Sequence, residues 1–375
     1  MKVLLISPAH PLRGGIAASS ERLARAFQEA GHTCSIVSFT LQYPDFLFPG
    51  STQYTDEPPP ASLTIRPLIN SVHPLNWWRT GRQLAREGYD LVVVRYWLPF
   101  MGPALGTICR RIRRNGHTRI VALADNVVPH EKRPGDTLLT RYFLRSVHGV
   151  LVMSRSVGEE ARRLVAALPV RYVPHPIYDS YGDKLDRAAA LERLGLPEAP
   201  RYLLFFGFIR PYKGLDLLYR AFADPRLRAF DLRLLVAGEY YGDARSYVAL
   251  AADLGIEDRL IEHRHYIPNE AIPAYFGAAD LVVQPYKTAT QSGISQLAYH
   301  FEVPMLVTRV GGLPEIVPHG RAGYVVDVDP GCIADALVDF FTHAKKDSLT
   351  RGVVAEKGRF GWEQLVAGAL EVAGW

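Results

Sequence analysis

Short apolar runs, bounded by glycine, proline and polar residues, recur along the chain of 375 residues. They alternate with segments whose apolar positions repeat at the helical period. Val3–Ile6 is the first run, and its unbroken apolar character predicts a strand buried on both faces. A loop from Ser7 to Gly15 leads to a helix predicted over Ser19–Ala30. Leu23, Phe27 and Ala30 share one face of it, and Gly31 ends it. Ser35–Phe39 is the next strand, which completes a βαβ unit. Strands over Leu63–Pro67, Leu91–Val94, Ile120–Leu123 and Val150–Met153 follow. Helices near Leu105–Arg114, Leu138–Val147 and Val157–Leu168 lie between or after them. This alternation predicts an open parallel sheet with helices on both faces.

The pattern then starts again. Tyr202–Phe206 is an apolar run, Gly207–Gly214 a loop with two basic residues, Leu215–Phe222 a helix and Leu232–Ala237 a strand stopped by Gly238. Further strands are predicted at Leu260–His263, Leu281–Gln284, Met305–Val307 and Tyr324–Val326. The fold class is therefore α/β, with two Rossmann-like domains. The joint falls in Pro174–Pro200, which holds four prolines and the polar run Asp179–Arg187. The domains are expected at 1–180 and 190–355, with 356–375 as a C-terminal helix packing across the joint. Such sheets bind ligands at the C-terminal edges of their strands, so two half-sites facing each other across a cleft suit a two-substrate reaction.

Length and composition agree with two cores: 48% of the residues are hydrophobic and 22% charged. The net charge of +5 fits an anionic ligand or surface, without the basic-aromatic stripe of a nucleic-acid binder. Cys34, Cys109 and Cys332 are scattered and odd in number, which suits neither a disulfide framework nor a zinc site. No metal and no cofactor is expected. The N-terminal apolar stretch is too short for a signal peptide, and no run approaches a membrane span, so a cytoplasmic setting is expected. Arg110, Arg111, Arg113, Arg114 and Arg119 cluster near one predicted helix. They read as a solvated face or as a peripheral contact with an anionic membrane surface.

Five segments carry candidate chemistry. Arg210-Pro211-Tyr212-Lys213-Gly214 lies between a strand and a helix, where a phosphate meets two cations and a helix N-terminus. Thr290-Gln291-Ser292-Gly293 precedes a helix predicted over Ile294–Phe301. The N–H groups of Ser292, Gly293 and Ile294 can cradle a diphosphate, or Ser292 can be a plain N-cap. Val310-Gly311-Gly312 permits close backbone approach or a tight turn. Gly14-Gly15 opens the first helix without the full dinucleotide fingerprint. Asp125, His130 and Glu131 follow a strand and are candidates for orienting or deprotonating an acceptor hydroxyl. His175, between two prolines, is expected to shape the interdomain turn.

Gly207–Leu218, Gly238-Glu239, Tyr275–Tyr286, Ser292–Pro304 and Val310–Pro318 together resemble the donor domain of GT-B glycosyltransferases. The chain is similar to the large retaining group called family four. Phe360-Gly361-Trp362 looks like the start of that family's C-terminal helix, which crosses back to the first domain. The resemblance implies an acceptor-side domain followed by a nucleotide-sugar domain. It implies transfer of a hexose from a nucleoside-diphosphate sugar to a hydroxyl of a glycan, lipid-linked or small-molecule acceptor, with retention at the anomeric carbon. It gives Lys213 the diphosphate and implicates Gly14 and Gly15. The family's loop arginine is displaced: Phe208 stands at its position and Arg210 is the nearest substitute. The family's Glu-x7-Glu pair is replaced by Thr288 and Gln296, and Gln296 can still hydrogen-bond a ribose hydroxyl. Glu302 stands where glycine is common, and Asp125 where relatives often place a histidine. Sugar-nucleotide epimerisation, or sugar-nucleotide binding without catalysis, are the competing expectations.

Overall fold

The computed structural model describes residues 1–44, 53–55, 58–129, 133–179, 181–289 and 292–375. It divides into two compact units, Met1–His175 with Gly361–Trp375, and Pro176–Phe360. His130, Glu131 and Gln291 lie outside the described residues.

The first unit opens with β1 (Lys2–Ile6), α1 (Gly15–Glu29), β2 (Thr33–Leu41) and β3 (Thr64–Asn70). It continues through α2 (Pro74–Arg86), β4 (Leu91–Tyr96), α3 (Gly102–Arg113) and β5 (Arg119–Ala124). α4 (Asp136–Leu144), β6 (Gly149–Val152), α5 (Arg155–Leu164) and β7 (Val170–Tyr172) complete it. The seven strands lie in the order β3-β2-β1-β4-β5-β6-β7, each pair parallel. Alternate side chains serve opposite faces, as a strand's period of two requires. Leu4, Ile6, Val92 and Val94 join Leu105, Ile108 and Phe143 in one core, while Val3, Leu5, Leu91 and Val93 join Leu23 and Phe27 in the other.

The second unit carries α6 (Arg187–Leu194), β8 (Arg201–Phe206), α7 (Leu215–Phe222), β9 (Leu232–Ala237), α8 (Arg245–Asp253) and β10 (Leu260–His263). Then come α9 (Ile272–Ala278), β11 (Leu281–Gln284), α10 (Gly293–His300), β12 (Met305–Thr308), α11 (Leu313–Ile316) and β13 (Gly323–Val326). α12 (Pro330–Thr342) and α13 (Lys346–Lys357) end it. Its sheet runs β10-β9-β8-β11-β12-β13, all parallel, so the strand order reverses between β8 and β11. That reversal is the point where an open α/β sheet presents a crevice. The final helix, α14 (Trp362–Ala373), belongs to the first unit and packs on α1, β5, β6 and β7. Trp362, Leu365 and Val366 seal the core that Leu23 and Phe27 line. Gly149 and Gly368 let α14 approach: an added Cβ would stand 2.4 Å from Val372 and 2.6 Å from Val173, respectively.

Several elements depart from the apolar pattern for local reasons. α1 begins at Gly15, four residues before Ser19, because Ser19 and Ser20 are buried inside the helix. Their hydroxyls donate back to the Ile16 carbonyl at 3.1 and 2.7 Å, and Ser20 also meets Ser7 at 2.6 Å. α2 carries little aliphatic signal, since its buried residues are Thr80, Gly81 and Leu84. Gly81 lies so close to α3 that a Cβ would meet that of Arg111 at 2.7 Å, and smallness rather than hydrophobicity packs this helix. α6 forms within the proline-containing joint, capped by Asp186, whose carboxylate accepts from the Ala189 N–H at 2.9 Å, and stopped by Gly195 at φ 65°.

Candidate functional site

In the second unit, β8 ends at Gly207, whose φ of 92° turns the chain out of the sheet. The turn brings three groups together. A Cβ at Gly207 would stand 3.2 Å from both Lys213 Nζ and Ile294 Cδ1. The lysine of the basic loop therefore reaches the first turn of α10, although 81 positions separate Lys213 from Ile294. Gly214, at φ 70°, starts α7 and passes the Pro285 carbonyl so closely that a Cβ would sit 2.0 Å from its oxygen. The Lys287 N–H donates to the Tyr212 carbonyl at 2.7 Å, and Lys287 Nζ pairs with Asp216 at 2.8 Å. These contacts bind the loops after β8 and β11 to each other across the strand-order reversal.

Lys213 is 9% exposed. No carboxylate lies within ion-pair distance of it among the described residues. Its neighbours are the Tyr286 ring, 5.8 Å from Nζ, and the charge of Arg210. Burial, with Arg210 adding repulsion, pulls the ammonium down from 10.5 to about 8. A buried ammonium beside a second cation is costly on its own, and an anion is the group that relieves it. Arg210 is exposed, with its guanidinium 4.3 Å from the centre of the Tyr241 ring. Phe208 packs edge-on against that same ring at 5.0 Å.

α10 begins with Ser292 as its N-cap: Ser292 Oγ accepts from the Ile294 N–H at 3.2 Å and meets the Tyr286 hydroxyl at 3.2 Å. The N-cap reading of Ser292 is the one this geometry shows. The cap takes the Ile294 N–H, so that group is not an open phosphate donor. The N–H groups of Ser292 and Gly293 have no acceptor among the described residues. Gly293 is required by Tyr178, whose ring would lie 2.9 Å from an added Cβ. Behind the cap, Gln296 is 1% exposed and neither side-chain polar atom has a partner among the described residues. Gln284 accepts from Ser295 Oγ at 3.1 Å, and its Nε2 is likewise unpartnered. A buried amide left unmade costs about 1–3 kcal/mol. Gly311, at φ 50°, makes the tight turn before α11, a helix of four residues. Glu302 ends α10 at φ 59°, a left-handed conformation that favours glycine, while pairing with Lys184 and Lys357 at 3.1 and 3.2 Å.

In the first unit, Gly14 adopts φ 114° and opens α1, and among the described residues nothing beyond its own chain neighbours crowds a Cβ added to Gly14 or Gly15. Asp125 follows β5 at the same strand-end edge. Arg95 grips both its carboxylate oxygens, with Nε and Nη2 each at 2.7 Å. Arg95 also donates to Ser19 Oγ at 3.1 Å, which ties the first turns of α1 to the loop after β5. Arg95 is 5% exposed. It was missed in the sequence because β4 reads as a buried apolar strand. The signal was present, though, as the single charge in Leu91-Val92-Val93-Val94-Arg95-Tyr96. Gly207, Tyr178 and Tyr286 were also missed as site residues, since their roles arise from contacts between distant segments. Among the described residues no helix is long and apolar enough to cross a membrane.

Comparison with known proteins places this geometry. Residues 13–181 match the family described as Glycosyltransferase Family 4, and residues 200–343 match Glycosyl transferases group 1. D-inositol 3-phosphate glycosyltransferase of Acidothermus cellulolyticus is 30% identical over 76% of this chain and 66% of its own length. The protein of that name from Streptomyces scabiei is 30% identical over 76% of this chain and 67% of its own. The chain thus spans about two thirds of the length of these curated relatives. Among solved structures, Anabaena HepE in complex with UDP superimposes with a TM-score of 0.73 at 17% identity, covering 99% of this chain and 100% of that one. Sucrose-phosphate synthase from Thermosynechococcus elongatus gives 0.70 at 20% identity, covering 99% and 98%. Two parallel Rossmann-like sheets with a closing helix returned to the first unit are the GT-B architecture, and the chain belongs to the group 1 glycosyltransferases.

Proposed function

We propose that this chain transfers a sugar from a nucleoside-diphosphate sugar to an acceptor hydroxyl, with retention at the anomeric carbon. The observation that carries the donor class is Lys213, a buried ammonium with no carboxylate partner among the described residues, beside Arg210 and next to the first turn of α10. A diphosphate in that cradle receives charge from Lys213 and Arg210 and N–H donors from Ser292 and Gly293. As the sugar–phosphate bond breaks, negative charge grows on the leaving diphosphate, and these groups stabilise it without a metal. The unpartnered Gln296 amide supports a contact to a ribose hydroxyl, the role the family resemblance gives that position. HepE was solved in complex with UDP, which makes uridine nucleotides the first donors to try. On the first unit, Gly14 and Gly15 leave the α1 N-terminus open toward substrate, and Asp125 orients the acceptor rather than acting as a free base, since Arg95 occupies both its oxygens.

The experiment is calorimetric titration with UDP and GDP, followed by NMR of the product formed from the matching sugar nucleotide. The expected result is a product whose anomeric configuration equals that of the donor. An inverted product would refute retention, and no binding of any nucleoside diphosphate would refute the donor class. One observation favours a second reading, sugar-nucleotide binding without transfer: the uncharged Thr288 and Gln296 stand where the family carries its acidic pair. Tight donor binding with neither transfer nor slow donor hydrolysis would establish it. Epimerised sugar nucleotide formed without acceptor would instead establish an epimerase.

A further inference from the structure

The helices α2, α3 and α4 pack side by side on one face of the first sheet. Their outward side carries charge of a single sign. α2 supplies Arg79, Arg82 and Arg86, and α3 supplies Arg110, Arg111 and Arg113. Arg141 on α4, with the capping residues Arg114 and Arg145, extends the same surface. Among the described residues none of these nine arginines has a carboxylate partner within ion-pair distance. These nine cations outnumber the chain's whole net charge of +5. Within the three helices only Asp136 is acidic, and it accepts from the backbone N–H of Arg133.

Helix dipoles account for arginines in the last turns but not for Arg79 and Arg82. An ordinary solvated surface intersperses both signs. Here the cations meet rings and carbonyls instead. Arg82 and Arg111 both lie over the Trp78 ring, at 5.3 and 5.0 Å, and Arg110 lies 3.7 Å from the centre of the Tyr142 ring. Trp78 and Tyr142 are themselves exposed. Leu75 is 63% and Leu138 71% exposed, each in the first turn of its helix. Helices in this fold run opposite to their strands. The two leucines therefore stand at the strand-end edge that also carries Gly14 and Asp125.

We propose that this helical layer docks on the surface of a bilayer rich in anionic lipid. The arginines complement the headgroup phosphates, Trp78 and Tyr142 sit at headgroup depth, and Leu75 and Leu138 enter the acyl boundary. A nucleic acid or an acidic polysaccharide would satisfy the arginines but leave the leucines in water, which is why a bilayer is the occupant argued for.

The test is co-sedimentation of the full chain with phosphatidylcholine vesicles and with vesicles rich in phosphatidylglycerol, at low and high salt. Binding to the phosphatidylglycerol vesicles alone, lost at high salt, is the expected result. A triple variant, Arg82→Glu, Arg86→Glu and Arg113→Glu, should weaken that binding by about tenfold or more. The double variant Leu75→Ser and Leu138→Ser, which leaves every arginine in place, should weaken vesicle binding while retaining heparin affinity. It decides the matter if the triple variant does not fold. Equal pelleting with both vesicle types, or none with either, overturns the proposal. So does vesicle binding that is indifferent to both sets of substitutions. Retention on heparin or DNA without vesicle binding assigns the surface to a different polyanion and equally overturns it.

Discussion

Replacing Lys213 by methionine keeps most of the side chain's apolar length and removes the buried charge. In the unfolded chain the ammonium titrates near 10.5, and in the folded protein burial and Arg210 hold it near 8. The folded state therefore binds this proton less tightly, so the charge begins to oppose folding as the pH falls below about 10.5 and does so in full below about pH 8. The gap corresponds to about 3 kcal/mol at neutral pH, at about 1.4 kcal/mol for each tenfold. Lys213→Met should accordingly raise the melting temperature of the ligand-free protein by about 6–10 °C, given the entropy of unfolding of a unit this size. The same substitution should abolish the upward shift that UDP produces in wild type. Differential scanning fluorimetry with and without UDP reads both effects. A variant that melts at or below the wild-type temperature, yet still responds to UDP, would refute the account of Lys213 as a charge stored for an anion.

Four further outcomes follow from the same contacts. Because the ligand-free lysine loses its proton near pH 8 and a bound diphosphate holds that proton, UDP affinity should fall above that pH, and calorimetry above it in buffers of different ionisation enthalpy should register proton uptake on binding. Gly214→Ala forces a Cβ to within 2.0 Å of the Pro285 carbonyl at a left-handed φ, so UDP binding should be lost and chemical denaturation should show a destabilised protein. Asp125→Ala removes both carboxylate contacts of the buried Arg95 while its bond to Ser19 remains, and should cost about 1.5–3 kcal/mol in urea unfolding, part of it recovered in the double variant with Arg95→Met. Glu302→Gly relieves the left-handed conformation while giving up two half-exposed ion pairs, a balance within about 1 kcal/mol; Glu302→Ala gives up the pairs and keeps the strain, so it should be the less stable of the two.

Much of this molecule was legible in its residues. The apolar runs within β1, β4, β8 and β11 predicted strands buried on both faces, and their alternation with helical periods predicted parallel sheets. Strand-then-helix order dictated that loops such as Arg210–Gly214 and Asp125 lie at strand ends, because a parallel sheet leaves its connections nowhere else. The charge cluster of α3 was visible as a run of arginines. Local chemistry of this kind needs only neighbours in sequence.

What the tertiary structure decided depends on distance in space. Packing carried by small residues hid α2, since Gly81 and Thr80 leave no apolar period. Capping at Asp186 placed α6 in a stretch whose prolines suggested only a joint. The loop Arg210–Gly214 shows in its residues a cation suited to phosphate, but that Lys213 is buried beside Gly207, Ile294 and Tyr286 is decided by the fold. The same holds for Asp125, which looked like a candidate base until Arg95, from a different strand, took both its oxygens. Lys213 and Asp125 are set by which groups the fold brings against them, because burial and pairing determine what a charged side chain can do, and neither is written in the residues beside it.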